Sequence, residues 1–410
     1  MNSFQTMNVE ISAGNRLVIR ADLNVPVQDR KISDTTRIDR FARGIKPFLS
    51  SGAKITVLSH FGRPRGQRNM ELSIAPVLSA LKSALGQDVQ FAKDCIGENA
   101  ISTSQALGAG EVLLCENVRF HAGEEANDTG FAKELALLGD LYVNDAFSAA
   151  HRAHASTAAI AELLPAYAGP LMAEEINALS LALEIPKSPV IAVVGGAKVS
   201  SKIAVLKNLV CKVDSVIVGG GMANTFMLAD GYPIGKSLAE PDQVETVHEI
   251  RDLAKKANCR ILSPIDIVCA FKFMAHAPSR TFGLDKYPKN AMIFDAGVNS
   301  IEAFSREFAA AKTILWNGPL GVFEMEPFDM ATVALARKAA ELTRAGSLTS
   351  IAGGGDTVAA LNLAGVADDF TYVSTAGGAF LEWLEGKELP AITSLRRAAE
   401  KYEKGNIQWH

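Results

Sequence analysis

Cysteine is scarce in this sequence, and its placement excludes two kinds of small, cross-linked fold. The chain has 410 residues and five cysteines, and no two of them form a C-x-x-C pair. They stand far apart, at Cys95, Cys115, Cys211, Cys259 and Cys269. Such spacing suits neither a disulfide framework nor a zinc site and is typical of a protein in a reducing compartment. We therefore expect core thiols and a cytoplasmic location.

Targeting segments and a strong charge imbalance are also missing. The first ten residues, MNSFQTMNVE, lack the charged and apolar blocks of a signal peptide, and no apolar run is long enough to span a bilayer. The formal net charge is −4, which argues against general binding to nucleic acid or to anionic membranes. We expect neither as a partner.

Three familiar nucleotide-binding or nucleophile motifs are incomplete or absent. GYPIGKS at 231–237 resembles a P-loop, but Asp230 stands where the motif needs its first glycine, and no apolar strand runs into it. GGGMAN at 219–224 misses the dinucleotide pattern G-x-G-x-x-G at Asn224. G-x-S-x-G does not occur, so nothing indicates a serine nucleophile. Chemistry without a covalent intermediate is therefore favoured.

What the sequence does have is a regular alternation of short β-branched runs with longer helical patterns. This alternation predicts parallel sheets covered by helices. The chain is too long for a single core, so we expect two such domains. In the first half the predicted strands lie within 16–24, 54–63, 88–94, 111–120 and 140–152. In the second half they lie within 189–198, 214–224, 313–324, 348–356 and 370–378.

The two sets of strands run into different kinds of residue. First-half strands lead into polar and charged side chains, at Asp22, Asn24, His60, Arg63, Arg119 and Arg152. Second-half strands lead into glycines, at 195–196, 219–221, 318, 353–355 and 377–378. Ligands of open parallel sheets bind beyond the carboxyl ends of the strands. The first half is therefore predicted to bind a small anion, and the second to present bare backbone to a nucleotide.

Positive charge is concentrated near the N-terminus. Residues 1–70 contain twelve lysines and arginines against five acidic residues. A solvated basic face and an anion site both explain this excess, and the count alone does not choose between them. Because arginine presents a planar fork that suits carboxylate and phosphate, Arg37 and the arginines at strand ends favour a polyanion site. His151 and His154 lie three apart, but no third ligand has a matching spacing, so no metal site is predicted there.

The stretch VVGGAKVSSKI at 193–203 places Lys198 and Lys202 four residues apart after two glycines. On the first turns of a helix the two lysines would repel each other and oppose the helix dipole. Phosphate bound at a strand–glycine–helix turn would offset both effects, whereas the alternative is a pair of solvated lysines. Asp356 follows three glycines and fits either a carboxylate beside nucleotide-bound Mg²⁺ or a helix N-cap, and one residue can serve as both.

A domain boundary is predicted around 165–190. PAYAGP at 165–170 is a cluster of turn-forming residues, and IPKSP at 185–189 ends the pattern that follows it. Between them, apolar residues repeat on one face of a helix, at Met172, Ile176, Leu179 and Leu183. This helix either connects two domains or packs on one of them.

Nine segments, in order along nearly the whole chain, make the sequence closely similar to the phosphoglycerate kinase family. They are RADLNVP (20–26), SHFGRP (59–64), ENVRF (116–120), DAFSAAHRAHAS (145–156), GGAKVSSKI (195–203), GGGMANTF (219–226), WNGPLGVFE (316–324), GGGDT (353–357) and VSTAGGAFLEWLEGK (373–387). The resemblance implies an α/β fold of two doubly wound parallel-sheet, Rossmann-like domains that face a cleft and are joined by a hinge helix. It implies a phosphoglycerate-binding domain at 1–170, the hinge helix at 171–188, a nucleotide-binding domain at 189–390, and a segment, 391–410, that returns to the first domain.

The family's reaction is the reversible, Mg²⁺-dependent transfer of a phosphoryl group from 1,3-bisphosphoglycerate to ADP, giving 3-phosphoglycerate and ATP in glycolysis and gluconeogenesis. The resemblance therefore implies a cytoplasmic, monomeric kinase that works by hinge closure and in-line transfer. Matching motifs assign phosphoglycerate binding to Asp22, Asn24, Arg37, His60, Arg63, Arg119 and Arg152. They assign nucleotide binding to Gly196, Ala197, Lys198, Lys202, Gly220, Gly221, Asn317, Gly318, Glu324, Gly354, Gly355, Asp356 and Thr357.

The resemblance also implies particular roles within these sets. Glu324 is similar to the residue that takes the ribose hydroxyls, and Asp356 resembles the carboxylate on the Mg²⁺ side. The transfer itself is assigned to Arg37 and Lys198, which would flank the moving phosphoryl group, and to the loop at Gly377 and Gly378.

Four segments depart from the family pattern. Ser148 and Ala149 replace Gly-Thr, Ser201 stands where Asp or Thr is common, and DAGVNS at 295–300 lacks the usual Pro-Lys. Ala376 matters more, since it replaces a glycine in the loop expected near the moving phosphate, and alanine tolerates a positive φ poorly. Two other functions stay open: an NAD-dependent dehydrogenase, whose glycine fingerprint is missing, and a non-enzymatic anion-binding scaffold.

Overall fold

The computed structural model describes residues 4–28 and 31–403, and the chain forms two compact units. The first unit comprises Met1–Ile176 and Glu388–His410, and the second comprises Asn177–Lys387. Among the helices within these described ranges, none combines the length and the apolar character that a membrane crossing needs.

The first unit is built on a six-stranded parallel sheet. Its strands are β1 (Arg16–Ala21), β4 (Lys54–Leu58), β5 (Gln90–Ala92), β6 (Val112–Cys115), β7 (Leu141–Asp145) and β8 (Ala166–Ala168), in the order β5-β6-β4-β1-β7-β8. A short antiparallel pair, β2 (Val27–Gln28) and β3 (Lys31–Ile32), follows β1. Since β4 lies on one side of β1 and β7 on the other, the order of winding reverses at β1, and ligands of such sheets bind near that point.

Helices flank this sheet because their apolar stripes need cover. They are α1 (Val9–Ser12), α2 (Thr36–Ser50), α3 (Ala75–Leu85), α4 (Gly97–Gln105), α5 (Ala122–Glu125) and α6 (Thr129–Ala136), with single 3₁₀ turns at Met70–Leu72, Val118–Phe120, Phe147–Ala149 and Ala159–Glu162. In α2, Ile38, Phe41 and Ile45 recur at helical spacing and join the core formed by Ile19 and Ile55 of the sheet. This packing fixes the first turn of α2, where Arg37 lies.

The second unit has a parallel sheet of its own and a smaller antiparallel one. The parallel strands are β9 (Val190–Val194), β10 (Ser215–Val218), β11 (Arg260–Leu262), β15 (Thr313–Asn317), β16 (Thr349–Gly353) and β17 (Tyr372–Ser374), in the order β11-β10-β9-β15-β16-β17. The antiparallel strands are β12 (Asp266–Ala270), β13 (Ser279–Gly283) and β14 (Met292–Ala296), in the order β13-β12-β14. The winding reverses between β9 and β15, which places a crevice at Gly195 and Gly318.

Helices follow most of the parallel strands of this unit, some directly and some after a loop. They are α8 (Ile203–Leu209), α9 (Gly220–Ala229), α10 (Val244–Lys256), α11 (Val298–Ala310), α12 (Met330–Arg344), α13 (Gly355–Ala364) and α14 (Gly377–Leu384), with 3₁₀ turns at Pro241–Gln243 and Ala367–Asp369. Trp316 is fully buried against Phe308 and Phe370, so the carboxyl end of the central strand β15 is anchored in the apolar core of this unit.

The prediction of two doubly wound parallel sheets is confirmed, and each of the ten predicted strands is present. The structure differs at PAYAGP (165–170), which was interpreted as a breaker and instead contains β8, an edge strand of small residues without a periodic pattern. The antiparallel sheet β12–β14 was not predicted either. Its strand β13 is mostly exposed and therefore lacks the apolar alternation that identifies a strand.

A helix does run through the predicted boundary, as α7 (Pro170–Leu183). Met172, Ile176, Leu179 and Leu183 are all buried, as their spacing predicts. The division between the two units falls inside α7, after Ile176, whereas the sequence analysis placed 171–188 as a separate element between the domains.

The C-terminal segment of the chain packs on the first unit through α15 (Pro390–Glu403). The backbone N–H of Ala391 donates to the Ala150 carbonyl at 3.1 Å, and the Lys401 ammonium pairs with Glu162. Residues 404–410 of the predicted returning segment 391–410 lie outside the described residues.

The N-terminus of α7 is held by a buried carboxyl group. Asp145 ends β7, and its Oδ1 accepts the backbone N–H groups of Leu171 at 2.7 Å and Met172 at 3.1 Å. Burial raises the pKa of Asp145 to about 7, although both hydrogen bonds act to lower it. A Cβ at Gly169 would lie 2.4 Å from the same oxygen, so the approach of this turn to Asp145 requires glycine.

We predict that Asp145→Asn changes how stability depends on pH. The folded pKa is raised, so the folded state keeps a proton that the unfolded chain releases between about pH 4 and about pH 7, and wild-type stability falls by about 1.4 kcal/mol per pH unit in that window. Asparagine lacks this titration. The difference in free energy of unfolding between the variant and wild type should therefore shift in favour of the variant as the pH rises to about 7, and stay constant above that pH. Urea unfolding from about pH 5 to about pH 8 measures this.

Asp128→Asn is the matched control, because Asp128 is an exposed carboxylate that caps α6 through the Phe131 N–H. It should show no comparable change in this window. A difference between Asp145→Asn and wild type that stays constant with pH would contradict the assignment.

Candidate functional site

The carboxyl end of the first sheet brings the predicted phosphoglycerate residues together. Arg20 of β1 lies opposite Leu58 of β4 and Asn144 of β7, so the segments that follow these strands emerge side by side. The backbone N–H of Gly62, beyond β4, donates to Asn24 Oδ1 at 3.0 Å. The segments after β1 and β4 are therefore joined directly.

Arg37 is positioned by two acceptors from the segment that follows β1. Its Nη1 lies 2.8 Å from Asp22 Oδ2 and 3.0 Å from the Asn24 carbonyl. The Ser148 hydroxyl donates to the same Asp22 oxygen, so the residue that departs from the family's Gly-Thr takes part in this cluster. About a third of the Arg37 side chain stays exposed (36%), which leaves donors available for a ligand.

The remaining predicted cations differ in burial. Arg119 is 3% exposed, and its Nη1 donates to the Gly62 carbonyl at 2.7 Å. Arg152 is partly buried, with Nε 3.2 Å from His151 Nε2, and Arg63 is exposed. His60 is buried, and its Nδ1 lies 3.0 Å from Nη2 of Arg20.

These cations destabilise one another's charged forms. Burial, followed by the neighbouring charges of Arg152 and Arg20, lowers the pKa of Arg119 to about 10. Burial and the charge of Arg63 lower the pKa of Arg152. Burial and the charge of Arg20 bring the pKa of His60 well below its ordinary range. Such a concentration of like charge is relieved by a bound anion, which is what this end of the sheet is suited to hold.

At the carboxyl end of the second sheet, glycines let neighbouring loops touch through their backbones. A Cβ at Gly195 would lie 1.8 Å from the Pro319 carbonyl oxygen, and one at Gly318, whose φ is +107°, would lie 2.1 Å from the Gly195 carbonyl oxygen. A Cβ at Gly221 would lie 2.4 Å from the Ala197 carbonyl oxygen. The sequence analysis attributed these glycines to the approach of a ligand, whereas here they are required by the loops themselves.

The two lysines of VVGGAKVSSKI do not share a helix face, because α8 begins only at Ile203. Lys198 lies in the preceding loop and is exposed. Lys202 precedes the helix, and its ammonium donates to Gly195 O at 2.6 Å, to Asn317 Oδ1 at 2.6 Å and to Asn317 O at 3.1 Å. Burial lowers the pKa of Lys202 to about 8, although Asp356 acts to raise it.

Three predicted nucleotide residues hold these loops together. Asn317 is 3% exposed, and its Nδ2 donates to the Gly353 carbonyl at 2.8 Å. The Gly318 N–H donates to Oγ1 of the buried Thr357 at 2.7 Å. Both contacts join β15 to the turn before α13, and any contact of Asn317, Gly318 and Thr357 with nucleotide stays a prediction.

A cavity of about 530 Å³ opens beside these loops within the second unit. Six predicted residues line it: Gly196, Ala197, Gly220, Gly221, Glu324 and Asp356. Its other walls include apolar side chains that the sequence analysis missed: Met227, Leu238, Phe273, Phe294 and Leu320. The divergent DAGVNS segment contributes Asp295 and Ala296. Apolar walls with a few polar groups at one end suit a planar base joined to a charged tail.

Asp356 is placed to approach a cation that a ligand brings. It lies exposed in the first turn of α13, directly after Gly355, where a Cβ would have open space. The cap of this helix is Gly354, with φ +98°, so Asp356 is not the N-cap that the alternative interpretation required. A single carboxylate is a suitable protein ligand for Mg²⁺, which prefers oxygen donors and keeps several waters or phosphates. The residues present therefore fit the ion.

The loop before α14 accommodates its departure from the family. Ala376 has φ −100°, so no left-handed conformation is needed at this position. Gly377 and Gly378 begin α14, and a Cβ at Gly377 would meet nothing within 4 Å. The amides at the start of this helix are therefore sterically accessible to a ligand.

Sequence reasoning missed three buried polar residues of the first unit, Arg20, Glu124 and Ser156, and the contact of the partly buried Ser148 with Asp22. A signal for one of them was present, since Arg20 interrupts an apolar strand, where a cation requires buried partners. The partners themselves come from distant segments and leave no local pattern.

A cation-rich site and a base-sized cavity on two doubly wound sheets are features of the two-domain α/β phosphotransferases.

Comparison with known proteins agrees with that class. The phosphoglycerate kinase family model matches residues 7–387. The phosphoglycerate kinase of Methylobacterium radiotolerans is 56% identical over 397 residues, covering 97% of this chain and 99% of that protein. That of Rhizobium meliloti is 56% identical over 385 residues, covering 94% and 96%. The solved structure of phosphoglycerate kinase from Coxiella burnetii has a TM-score of 0.91 at 44% identity, covering 97% of this chain and all of that one (100%). This chain belongs to the phosphoglycerate kinase family.

We predict that Asn317→Ala destabilises the second unit. The substitution removes an acceptor from the buried Lys202 ammonium and the donor to Gly353, so the free energy of unfolding should fall by about 2 kcal/mol. Unfolding in urea, followed by the fluorescence of the neighbouring buried Trp316, measures the loss. Asn362→Ala, on the exposed face of α13, is the control and should change little. Equal stability of the two variants would show that Lys202 does not depend on Asn317.

Proposed function

We propose that the cation cluster of the first unit holds 1,3-bisphosphoglycerate or 3-phosphoglycerate and that the cavity of the second unit holds ADP or ATP. The reaction is that of the family. A terminal phosphate oxygen of ADP attacks the acyl phosphate of 1,3-bisphosphoglycerate, the bond between phosphorus and the acyl oxygen breaks, and 3-phosphoglycerate and ATP are formed. In the reverse direction the acceptor is a carboxylate, so the enzyme is a phosphotransferase that acts on a carboxyl group.

The observation that carries the substrate assignment is the concentration of positive charge at the carboxyl end of the first sheet. The charges of Arg152 and Arg20 lower the pKa of Arg119, and those of Arg63 and Arg20 lower the pKa of Arg152, so bound phosphate and carboxylate groups would stabilise Arg119 and Arg152. Phosphoglycerate supplies a phosphate at one end and a carboxylate or acyl phosphate at the other. We assign its contacts to Asp22, Asn24, Arg37, His60, Arg63, Arg119 and Arg152, with Asp22 acting through Arg37.

The shape of the second cavity supports the nucleotide assignment. The apolar walls formed by Met227, Leu238 and Phe294 suit an adenine ring, and the exposed carboxylate of Glu324 suits the ribose hydroxyls. Asp356 would hold Mg²⁺ that arrives with the nucleotide, and the ion would neutralise phosphate charge. The phosphate chain is then expected near Lys198, Lys202 and the open turn at Gly377 and Gly378.

Transfer requires the two bound substrates to meet, and we propose that hinge bending at the linking helix achieves this. Closure would align the acyl phosphate with ADP and exclude the water that otherwise hydrolyses it. Arg37 from the first unit and Lys198 from the second would then compensate the charge on the equatorial oxygens of the moving phosphoryl group. Both side chains are exposed enough to change partners as the group moves.

The oligomeric state, the location and the partners of the enzyme are proposals as well. We propose that the enzyme is a monomer. We also propose that it acts in the cytoplasm, since free thiols persist in a reducing compartment. Nothing in the net charge of −4 favours a nucleic-acid or membrane partner. The dehydrogenase alternative is dropped, because the chain belongs to a kinase family and lacks the glycine fingerprint.

We predict that Arg37→Ala and Lys198→Ala each lower kcat by at least about a hundredfold while changing the KM for nucleotide by less than about threefold. Their charges are needed mainly when the phosphoryl group is in flight, so the loss should fall on turnover. The measurement is a coupled assay with 3-phosphoglycerate and MgATP that reports 1,3-bisphosphoglycerate.

The matched controls are Arg43→Ala, on the exposed face of α2, and Lys207→Ala, in α8, which should retain turnover. If Arg37→Ala or Lys198→Ala kept normal turnover, charge compensation by that residue would be wrong. If the wild-type protein bound both substrates without forming product, it would be an anion-binding scaffold and not a kinase.

We also predict that Asp356→Asn raises the Mg²⁺ concentration needed for half-maximal turnover by about fivefold to tenfold, since one of the few protein oxygens available to the ion loses its charge. Mg²⁺ titrations of the coupled assay at fixed ATP measure this. Glu324→Gln, in the same cavity wall, is the control and should alter the KM for nucleotide with little change in the Mg²⁺ requirement. An unchanged Mg²⁺ titration for Asp356→Asn would remove Asp356 from the ion's ligands.

A further inference from the structure

A buried row of polar side chains runs from the interior of the first unit to the predicted substrate residue His60. It consists of Glu124, Ser156, Arg20 and His60, and the first three are wholly buried (0% exposed) while His60 is 6% exposed. The row begins in α5, crosses the loop that follows the HRAH sequence, and ends beside β4. Four polar groups at this depth must satisfy one another, because water does not reach them.

The hydrogen bonds of the row run outward from Arg20, on one side through Ser156 to Glu124 and on the other side to His60. The Ser156 hydroxyl donates to Glu124 Oε1 at 2.6 Å, and the Ser156 N–H donates to Glu124 Oε2 at 2.9 Å. The same hydroxyl accepts Nε–H of Arg20 at 2.8 Å. Arg20 also donates from Nη1 to the Ala21 carbonyl at 2.5 Å and from Nη2 to His60 Nδ1 at 3.0 Å. Three acceptors on three sides therefore fix the plane of the guanidinium group.

This arrangement determines the protonation of His60. A guanidinium group has donors and no acceptors, so Nδ1 of His60 must accept and the ring proton must lie on Nε2. A doubly protonated ring would direct an N–H at the N–H of Arg20. The other charged or titratable groups that face the ring are Arg119, Arg152 and His154, and each of them disfavours a second proton.

We propose that Glu124 is a positioning residue which, through Ser156 and Arg20, holds His60 as the neutral Nε2–H tautomer. His60 then offers the substrate a single uncharged N–H, and the positive charge that the substrate meets comes from the arginines alone. The substrate contact of His60 rests on the proposed function, whereas the tautomer follows from the row itself. The carboxylate of Glu124 also compensates Arg20, which a neutral ring leaves without another anionic partner in the row.

Nitrogen NMR of histidine side chains tests the tautomer in the intact protein without substrate. With ¹⁵N-histidine, His60 should show a pyridine-type shift at Nδ1 and a pyrrole-type shift at Nε2, unchanged from about pH 5 to about pH 8. His60→Gln identifies the signal. A His60 ring that carries its proton on Nδ1, or that gains a second proton within this range, would overturn the proposal.

Ser156→Ala tests the connection, because it removes the bridging hydroxyl and leaves the backbone N–H of residue 156 to bond Glu124. The row would be broken between Glu124 and Arg20, and His60 should then sample both tautomers or titrate within that range. The KM for 3-phosphoglycerate should rise by about fivefold to tenfold, while the KM for ATP and kcat change by less than about twofold. Ser104→Ala is the matched control, since Ser104 is equally buried in the same unit but donates only to a carbonyl within its own helix.

A second variant keeps the test open if Ser156→Ala folds poorly. Glu124→Gln retains the side-chain shape and should release the His60 tautomer in the same way, with the larger effect on the KM for 3-phosphoglycerate. An unchanged tautomer and KM in a folded Ser156→Ala or Glu124→Gln protein would show that the row is only structural. Failure of the proposed function would appear differently, as a wild-type protein without kinase turnover whose His60 tautomer is still fixed.

Discussion

A guanidinium group that is buried beside a sheet must find all its acceptors within the protein. In the first site this group is that of Arg20, and its acceptors determine how the neighbouring segments are arranged. Arg20 is the last residue but one of the central strand β1, and none of its surface is exposed. Ser156, the Ala21 carbonyl and His60 receive its hydrogens, and Glu124 supplies a negative charge one step away. The hydrogen bonds that buried Arg20 requires therefore fix the positions of the loop at 154–156 and of the His60 ring.

In the second site the corresponding cation is Lys202, which is held by two backbone oxygens and one side-chain amide oxygen. Its ammonium is already surrounded by Gly195 O and the two oxygens of Asn317, whereas Lys198, in the loop before it, is exposed. A phosphate that approached both would find an available cation at Lys198 and, at Lys202, one that has to exchange an internal acceptor. The four-residue spacing of the two lysines suggests equivalent positions on one helix face. They are not equivalent, because the helix begins only at Ile203.

Ten of the twelve parallel strands of the described residues could be predicted, because they lie in short apolar runs that lead into polar or glycine-rich turns, and the residues at those ends follow from the same pattern. The short strands β8 and β11 were missed. The contacts between the ends could not be predicted. Lys202 and Asn317 lie 115 positions apart, and Glu124 reaches Arg20 only through Ser156. The glycines could likewise be located from the sequence, but the reason for each could not. Gly195 is where the pattern placed it, yet its physical cause is the neighbouring carbonyl of Pro319, which no local sequence rule specifies.

The two units use different groups for anions because their proposed ligands differ in what they carry. Phosphoglycerate is small and brings only negative charge, so the first unit needs side chains that are permanently positive. A nucleotide brings an apolar ring and an accompanying cation, so the second unit can meet it with apolar walls and neutral amides.

Within both units, burial then divides the cations by role. Arg20 and Lys202 are committed to internal acceptors and hold loops in place, and exchanging those acceptors would leave buried polar groups unpaired. Arg37 keeps its contacts with Asp22 and Asn24 but is 36% exposed, and Lys198 is exposed, so each has donors that face solvent. If a phosphoryl group moves between the two proposed substrates, these are the cations with donors available to follow its charge.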